Sequence, residues 1–225
     1  MSERNAGILG LFGGTFDPLH VAHLRLAIEA REVLGLAAVC FIPAGNPALR
    51  DEPHSAATHR LAMVRQAIAD VPGFDVDDWE VLHAAAGPSY TITTLERQRR
   101  LHGPARPIVL LVGADAFARL EAWQRWRELF ALAHIAVATR PGHELKVGAG
   151  ETALDREFAA RRGQPADLGG APFGRIVPFA ITALEVSATA VRQRIASGLS
   201  ARYLVPDAVL DYIDSHQIYR TPHGH

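Results

Sequence analysis

Short unbroken apolar runs alternate along the chain with longer stretches of helical spacing. The run Ile8–Phe12 breaks at Gly13-Gly14 and leads into Val21–Leu34, where Leu24, Ala27, Ile28 and Ala30 recur at the interval of one helix face. Ala38–Ile42 repeats the run, and Thr58–Ala69 repeats the helical pattern through Leu61, Val64, Ala67 and Ile68. Phe74–Leu82 alternates as an edge strand would, Tyr90–Arg100 is helical, and Pro107–Val112 is the most hydrophobic run, which predicts a buried central strand. Trp126–Ala131 reads as a helix, Ile135–Ala138 and Arg175–Phe179 as strands, and Thr189–Ser197 and Pro206–Ser215 as closing helices. Between 141 and 174 the pattern dissolves into Gly, Pro, Ala and Arg, predicting a surface insertion with room for one short helix, and 221–225 reads as a frayed tail. Strands covered on both faces and separated by helices predict an α/β fold, a doubly wound parallel sheet in one domain over residues 1–220 with a small C-terminal helical segment at 186–216.

Composition narrows the function classes. Across 225 residues, 48% are hydrophobic and 21% charged, enough to build a packed core and unlike a disordered chain. With 23 basic against 24 acidic residues the net charge is -1, so there is no general attraction for nucleic acid or anionic lipid and any anion must be held locally. The longest uncharged stretch, Val33–Leu49, is interrupted by Gly35, Pro43, Gly45 and Pro47 and cannot span a bilayer as a helix; nor does the N-terminus carry a long apolar signal stretch. These features predict no membrane or nucleic-acid partner. Cys40 is the only cysteine, which forbids an internal disulfide and predicts a cytoplasmic setting. Lys146 is the only lysine and follows no glycine-rich turn, which excludes a P-loop and disfavours Schiff-base chemistry. Phosphate, if bound, must be held by Arg, His, hydroxyls and backbone amides.

Two segments have that chemistry. Gly13-Gly14-Thr15-Phe16-Asp17-Pro18-Leu19-His20-Val21-Ala22-His23 follows the first predicted strand and opens the first helix, where parallel α/β sheets form a ligand crevice. The glycines let backbone approach a ligand, the helix N-terminus offers N–H groups, and His20 and His23, three apart, can turn both rings to one side. Asp17, His20 and His23 could instead be read as metal ligands of a hydrolase, although a fourth ligand is not evident. The second segment, Glu185 to Arg192, supplies Ser187, Thr189 and Arg192 at a helix start; one hydroxyl would serve as an N-cap, while two hydroxyls and a guanidinium suit a pyrophosphate.

These two segments resemble the signature and the C-terminal phosphate motif of the nucleotidyltransferase superfamily of adenylyl- and cytidylyltransferases. Within it the sequence is most similar to the bacterial nicotinate-nucleotide adenylyltransferases, through Phe41–Gly45, His59–Met63, Ser89–Thr91 with Thr94-Leu95, Gly113–Asp115, Trp123, Arg140–Gly142, Leu204–Pro206 and Tyr212-Ile213. The resemblance runs from about Leu9 to Tyr219. It implies a Rossmann-like nucleotidyltransferase fold and a reaction in which the 5′-phosphate of nicotinate mononucleotide attacks the α-phosphate of ATP, giving deamido-NAD and pyrophosphate with Mg²⁺ carried on the ATP phosphates. In-line transfer of this kind asks for positioning and charge neutralisation rather than a protein nucleophile. The resemblance casts His20, His23 and Arg192 as catalytic. It assigns Gly13, Gly14, Thr15, Phe16, Arg50, Gly113, Asp115, Ser187 and Thr189 to ATP, and Thr91 and Trp123 to nicotinate mononucleotide. Asp115 would also serve as a helix N-cap, and Trp126 is assigned to the core. The chain departs from the family pattern at Ala22, where Gly is usual, at Leu49-Arg50, where His-Lys is frequent, and at Gln124, often aromatic. Competing expectations are a nicotinamide-mononucleotide or dual-specificity adenylyltransferase, a phosphopantetheine adenylyltransferase, the metal-dependent hydrolase, and a catalytically silent nucleotide-binding regulator; a homo-oligomer is compatible with all of them.

Overall fold

The computed structural model describes residues 7–48, 52–139 and 152–220. Six strands form one sheet in the order β3-β2-β1-β4-β5-β6, every pairing parallel. They are β1 Leu9–Gly14, β2 Ala38–Pro43, β3 Phe74–Val76, β4 Ile108–Gly113, β5 His134–Thr139 and β6 Ile176–Ala180. The strand order reverses between β1 and β4, so the crevice for a ligand lies where these two adjacent strands end, at Gly14 and Gly113.

The period of two along each strand sends alternate residues to opposite layers. Leu9, Leu11, Ile108, Leu110, Ile135 and Val137 pack on one face with Ile92, Leu95, Phe117 and Phe130; Val39, Phe41, Val109, Leu111 and Ala136 pack on the other with Ala27, Ala30, Val64 and Ile68. The covering helices are α1 Val21–Val33 and α2 Ala57–Ile68 on the second face, and α4 Thr91–His102 on the first. A third cluster, Met63, Val191, Val205, Val209 and Ile213, docks the C-terminal helices α7 Ala188–Ala196 and α8 Asp207–Ser215 against α2. This matches the expected doubly wound sheet with a small helical C-terminal segment.

Three local expectations are corrected. Phe74–Leu82 is not one strand: Asp77 Oδ1 accepts the N–H of Trp79 at 2.9 Å and turns the chain into the single-turn helix α3, Trp79–Leu82. Trp126–Ala131 is a 3₁₀ rather than an α-helix, with Trp126, Leu129 and Phe130 buried as foreseen for Trp126. Of the predicted surface insertion, 141–151 lies outside the described residues; the remainder holds the short helix allowed for, but packs into the core instead of lying on the surface alone. Helix α6, Ala153–Arg161, is capped by Thr152 and buries Leu154 and Phe158 in the first-face core, and Leu168 is buried in the second. The short helix α5, Ala114–Phe117, completes the set.

Candidate active site

The segment after β1 is fixed before any ligand arrives. Phe16 takes a positive φ of 51°, and its ring folds back so that a Cβ on Gly14 would lie 2.8 Å from it. A glycine is therefore required there. The Phe16 side chain is buried among Phe12, Phe41 and His23, so of this residue only the main chain can meet a ligand. Among the described residues, no atom beyond the chain neighbours lies within 4 Å of the place a Cβ would take on Gly13 or Gly113, which leaves open space there at the ends of β1 and β4.

Arg60, not singled out as functional in the sequence, is a buried clamp behind this loop. From α2 it donates to Thr15 O at 2.8 Å, Ala44 O at 2.6 Å, Gly45 O at 3.1 Å and Ser55 O at 3.3 Å, tying the loops after β1 and β2 together. Its burial depresses the guanidinium pKa without approaching neutrality, and Asp17 nearby favours the charge. Removing the guanidinium strands several carbonyls, each costing about 1–3 kcal/mol when unpaired. Arg60→Met should therefore lower the unfolding free energy in urea by about 3 kcal/mol or more; a loss below about 1 kcal/mol would mean that water replaces the clamp.

His20 is the N-cap residue of α1 and His23 lies one turn on; their rings stack with centroids 3.8 Å apart and 27° between planes. The shared orientation expected from their spacing is present. His23 Nδ1 accepts the His20 N–H at 3.3 Å, while the His20 ring turns toward the His23 N–H without closing a hydrogen bond, leaving its Nδ1 buried and unpartnered. Burial lowers the His20 pKa to about 4, so the ring is neutral at pH 7. The expectation of a free α1 N-terminus is corrected in part: Val21 N donates to Leu204 O at 3.0 Å and His23 N to His20 O at 3.0 Å. The C-terminal segment occupies part of that anion seat.

The second motif closes on the first across 175 residues: Arg192 Nη1 donates to Asp17 O at 2.7 Å, and Nη2 donates to Thr189 Oγ1 at 3.2 Å. Ser187 is the N-cap of α7, its Oγ accepting Ala190 N at 3.2 Å, so its hydroxyl already has a structural use. Glu29 holds the approach to this motif, accepting Thr182 N at 2.6 Å and Arg25 Nε at 2.6 Å.

Asp17 is not a free ligand. Its carboxylate accepts His54 N at 2.7 Å, Ser55 Oγ at 2.5 Å and Tyr219 OH at 2.5 Å. Among the described residues no three His, Cys, Asp or Glu side chains are grouped to hold a metal ion. Of the hydrolase reading's three donors, the Asp17 carboxylate is committed to hydrogen bonds within the fold and His23 Nδ1 accepts the His20 N–H.

At the other side of the crevice, α4 begins at Thr91 with no side-chain cap. Ser89 is engaged instead with the loop after β2, its Oγ accepting Asn46 N at 3.2 Å and its N–H donating to Asn46 O at 2.6 Å. Half-buried Trp123 and Tyr90 pack at the edge of the core cluster that holds Ile92. Asp115 is exposed in the first turn of α5; the N-cap is Gly113, so the capping role read for Asp115 is corrected. Arg50 and the Arg140–Gly142 stretch lie outside the described residues.

Residues 11–194 match the cytidylyltransferase-like family. A probable nicotinate-nucleotide adenylyltransferase of Dechloromonas aromatica is 54% identical over 94% of this chain and 97% of its own, and one of Pseudomonas syringae pv. tomato is 46% identical over 95% and 94%. The chain belongs to the nicotinate-nucleotide adenylyltransferases. The same fold occurs in the Plasmodium falciparum nicotinic acid mononucleotide adenylyltransferase complexed with NaAD, with a TM-score of 0.70 at 15% identity over 95% of this chain and 98% of that one. Among the described residues no helix is long and apolar enough to cross a membrane.

Proposed function

We propose that this member of the family joins ATP and nicotinate mononucleotide into deamido-NAD, releasing pyrophosphate in the cytoplasm as a step of NAD biosynthesis. The observation that carries this reading is the meeting of the two phosphate motifs at Asp17 and Arg192, in a chain 54% identical to a relative named for that activity. The ATP phosphates lie over Gly13, Gly14 and the main chain of Thr15 and Phe16. His20 and His23 face the α-phosphate, and Arg192 with Thr189 and the Ser187 turn holds the β- and γ-phosphates. Arg50 and the Gly113–Asp115 turn complete the ATP side, and Thr91 and Trp123 the nicotinate side. Mg²⁺ enters with ATP as part of the substrate. The phosphate of nicotinate mononucleotide attacks in line; the donors stabilise charge as it moves toward the leaving pyrophosphate, and no group of the protein forms a covalent bond.

The test is pyrophosphate release from ATP, Mg²⁺ and each mononucleotide, in wild type and in Arg192→Lys. A planar fork that bonds both Asp17 O and Thr189 is not reproduced by an ammonium, so Arg192→Lys should lose roughly 10-fold or more in kcat/KM despite its retained charge. A variant equal to wild type would remove Arg192 from the phosphate site, and absence of pyrophosphate with nicotinate mononucleotide would overturn the reaction.

A further inference from the structure

Tyr219 lies beyond α8, 202 residues from Asp17 in sequence, and nothing about the phosphate motifs requires it. Its chain turns sharply, with φ of 52° at Gln217 and 63° at Tyr219, bringing the ring against the C-terminal core cluster and its hydroxyl to Asp17 Oδ1. Burial and the Asp17 carboxylate push the phenol pKa up, so it remains a donor across the working range. Ser55 Oγ bonds the same oxygen and lies 3.2 Å from the Tyr219 hydroxyl, and His54 N bonds the other oxygen. The buried Asp17 carboxylate thus gathers the loop before α2, the segment after α8 and the phosphate loop, and the main-chain carbonyl of the same residue receives Arg192. We propose that Tyr219 is a positioning residue for adenylyl transfer: through Asp17 it sets where Arg192 and the histidine pair stand against the phosphates, so that the C-terminal end of the chain completes the site.

The proposal rests on the adenylyl-transfer reading and is tested with Tyr219→Phe, which keeps the ring and removes one donor. A misplacement of about 1 Å in a reacting site can cost up to about 10²-fold, so kcat should fall roughly 10- to 100-fold while the KM for ATP changes less than about threefold. Because the effect passes through Asp17 to Arg192, it should shrink on an Arg192→Lys background, and the imidazole NMR signals of His20 and His23 should shift in the ligand-free protein. Ser55→Ala removes the neighbouring donor and should show the same signature if Tyr219→Phe does not fold. A Tyr219→Phe protein with kcat within twofold of wild type overturns the proposal, as does a loss that tracks its melting temperature and recovers on cooling, or one fully additive with Arg192→Lys. If wild type itself releases no pyrophosphate, the reaction falls, and Tyr219 is judged on the imidazole signals, which must shift in Tyr219→Phe for the positioning role to stand.

Discussion

Nicotinate mononucleotide should be used with a kcat/KM roughly 10⁴-fold above that of nicotinamide mononucleotide. The two substrates differ only at the ring substituent. A carboxylate accepts hydrogen bonds, whereas the amide also carries an NH₂ that must donate. Helix α4 starts at Thr91 without a side-chain cap, and Ser89, the one aliphatic hydroxyl just before it, is engaged by Asn46. On the proposed placement of nicotinate mononucleotide, the N–H groups of that first turn, which no side chain caps, would meet the ligand where the helix dipole favours an anion. They welcome the carboxylate and confront the amide NH₂ with more donors, and the unpaired contact is what excludes it. The proposed stacking of Trp123 on the pyridine ring would sense the ring and not the substituent, so Trp123→Ala should weaken both substrates with little change in their ratio. Steady-state kinetics with both mononucleotides checks this directly: comparable kcat/KM values would remove carboxylate recognition by α4 and leave a dual-specificity enzyme.

The sheet was legible in the sequence because its strands are buried on both faces and read as unbroken apolar runs. The run ending at Val112 predicted a central strand, and β4 does lie between β1 and β5. Where Asp77 bonds the backbone locally, the periodicity of Phe74–Leu82 misled, since a side chain that caps a turn leaves no mark on hydrophobic spacing. Between 152 and 174 the sequence left room for one short helix but did not show that it joins the core, because α6 buries just two apolar side chains, Leu154 and Phe158, too few to mark a face. The two phosphate motifs were readable because each is contiguous. Arg60, Ser55 and Tyr219 were not, because their partners are carbonyls or a carboxylate brought from elsewhere by the fold, and a hydrogen bond across 202 residues has no local signature.

His20→Ala and His23→Ala should each lose roughly 10²- to 10³-fold in kcat while melting near wild type at pH 7.5. The stability side follows from what the rings do in the fold. The His20 side chain closes no capping hydrogen bond and its Nδ1 is unpartnered, so truncating it forfeits no bond that holds α1, and the hydrogen bond that His23 Nδ1 accepts from the His20 N–H is long, at 3.3 Å. The activity side follows from charge. With its pKa lowered to about 4, His20 is a neutral donor in the free enzyme, and because Nδ1 is turned toward the N–H of His23, the ring's own proton belongs on Nε2. A neutral, prepositioned donor needs no reorganisation when negative charge develops on the transferring phosphoryl group. The same burial gives a pH dependence with a definite sign. The unfolded ring, with a pKa near 6.5, takes up its proton before the folded one, so stability is intact above about pH 6.5 and falls as pH drops toward 4, by up to about 3 kcal/mol from this group. His134, also buried, and His102 shift in the same direction and steepen the decline. Urea denaturation of wild type and His20→Ala between pH 7.5 and 4.5 should accordingly show the variant losing less stability on acidification. Equal pH slopes would place the His20 pKa near its ordinary value, and full turnover by either histidine variant would remove that ring from the phosphoryl site.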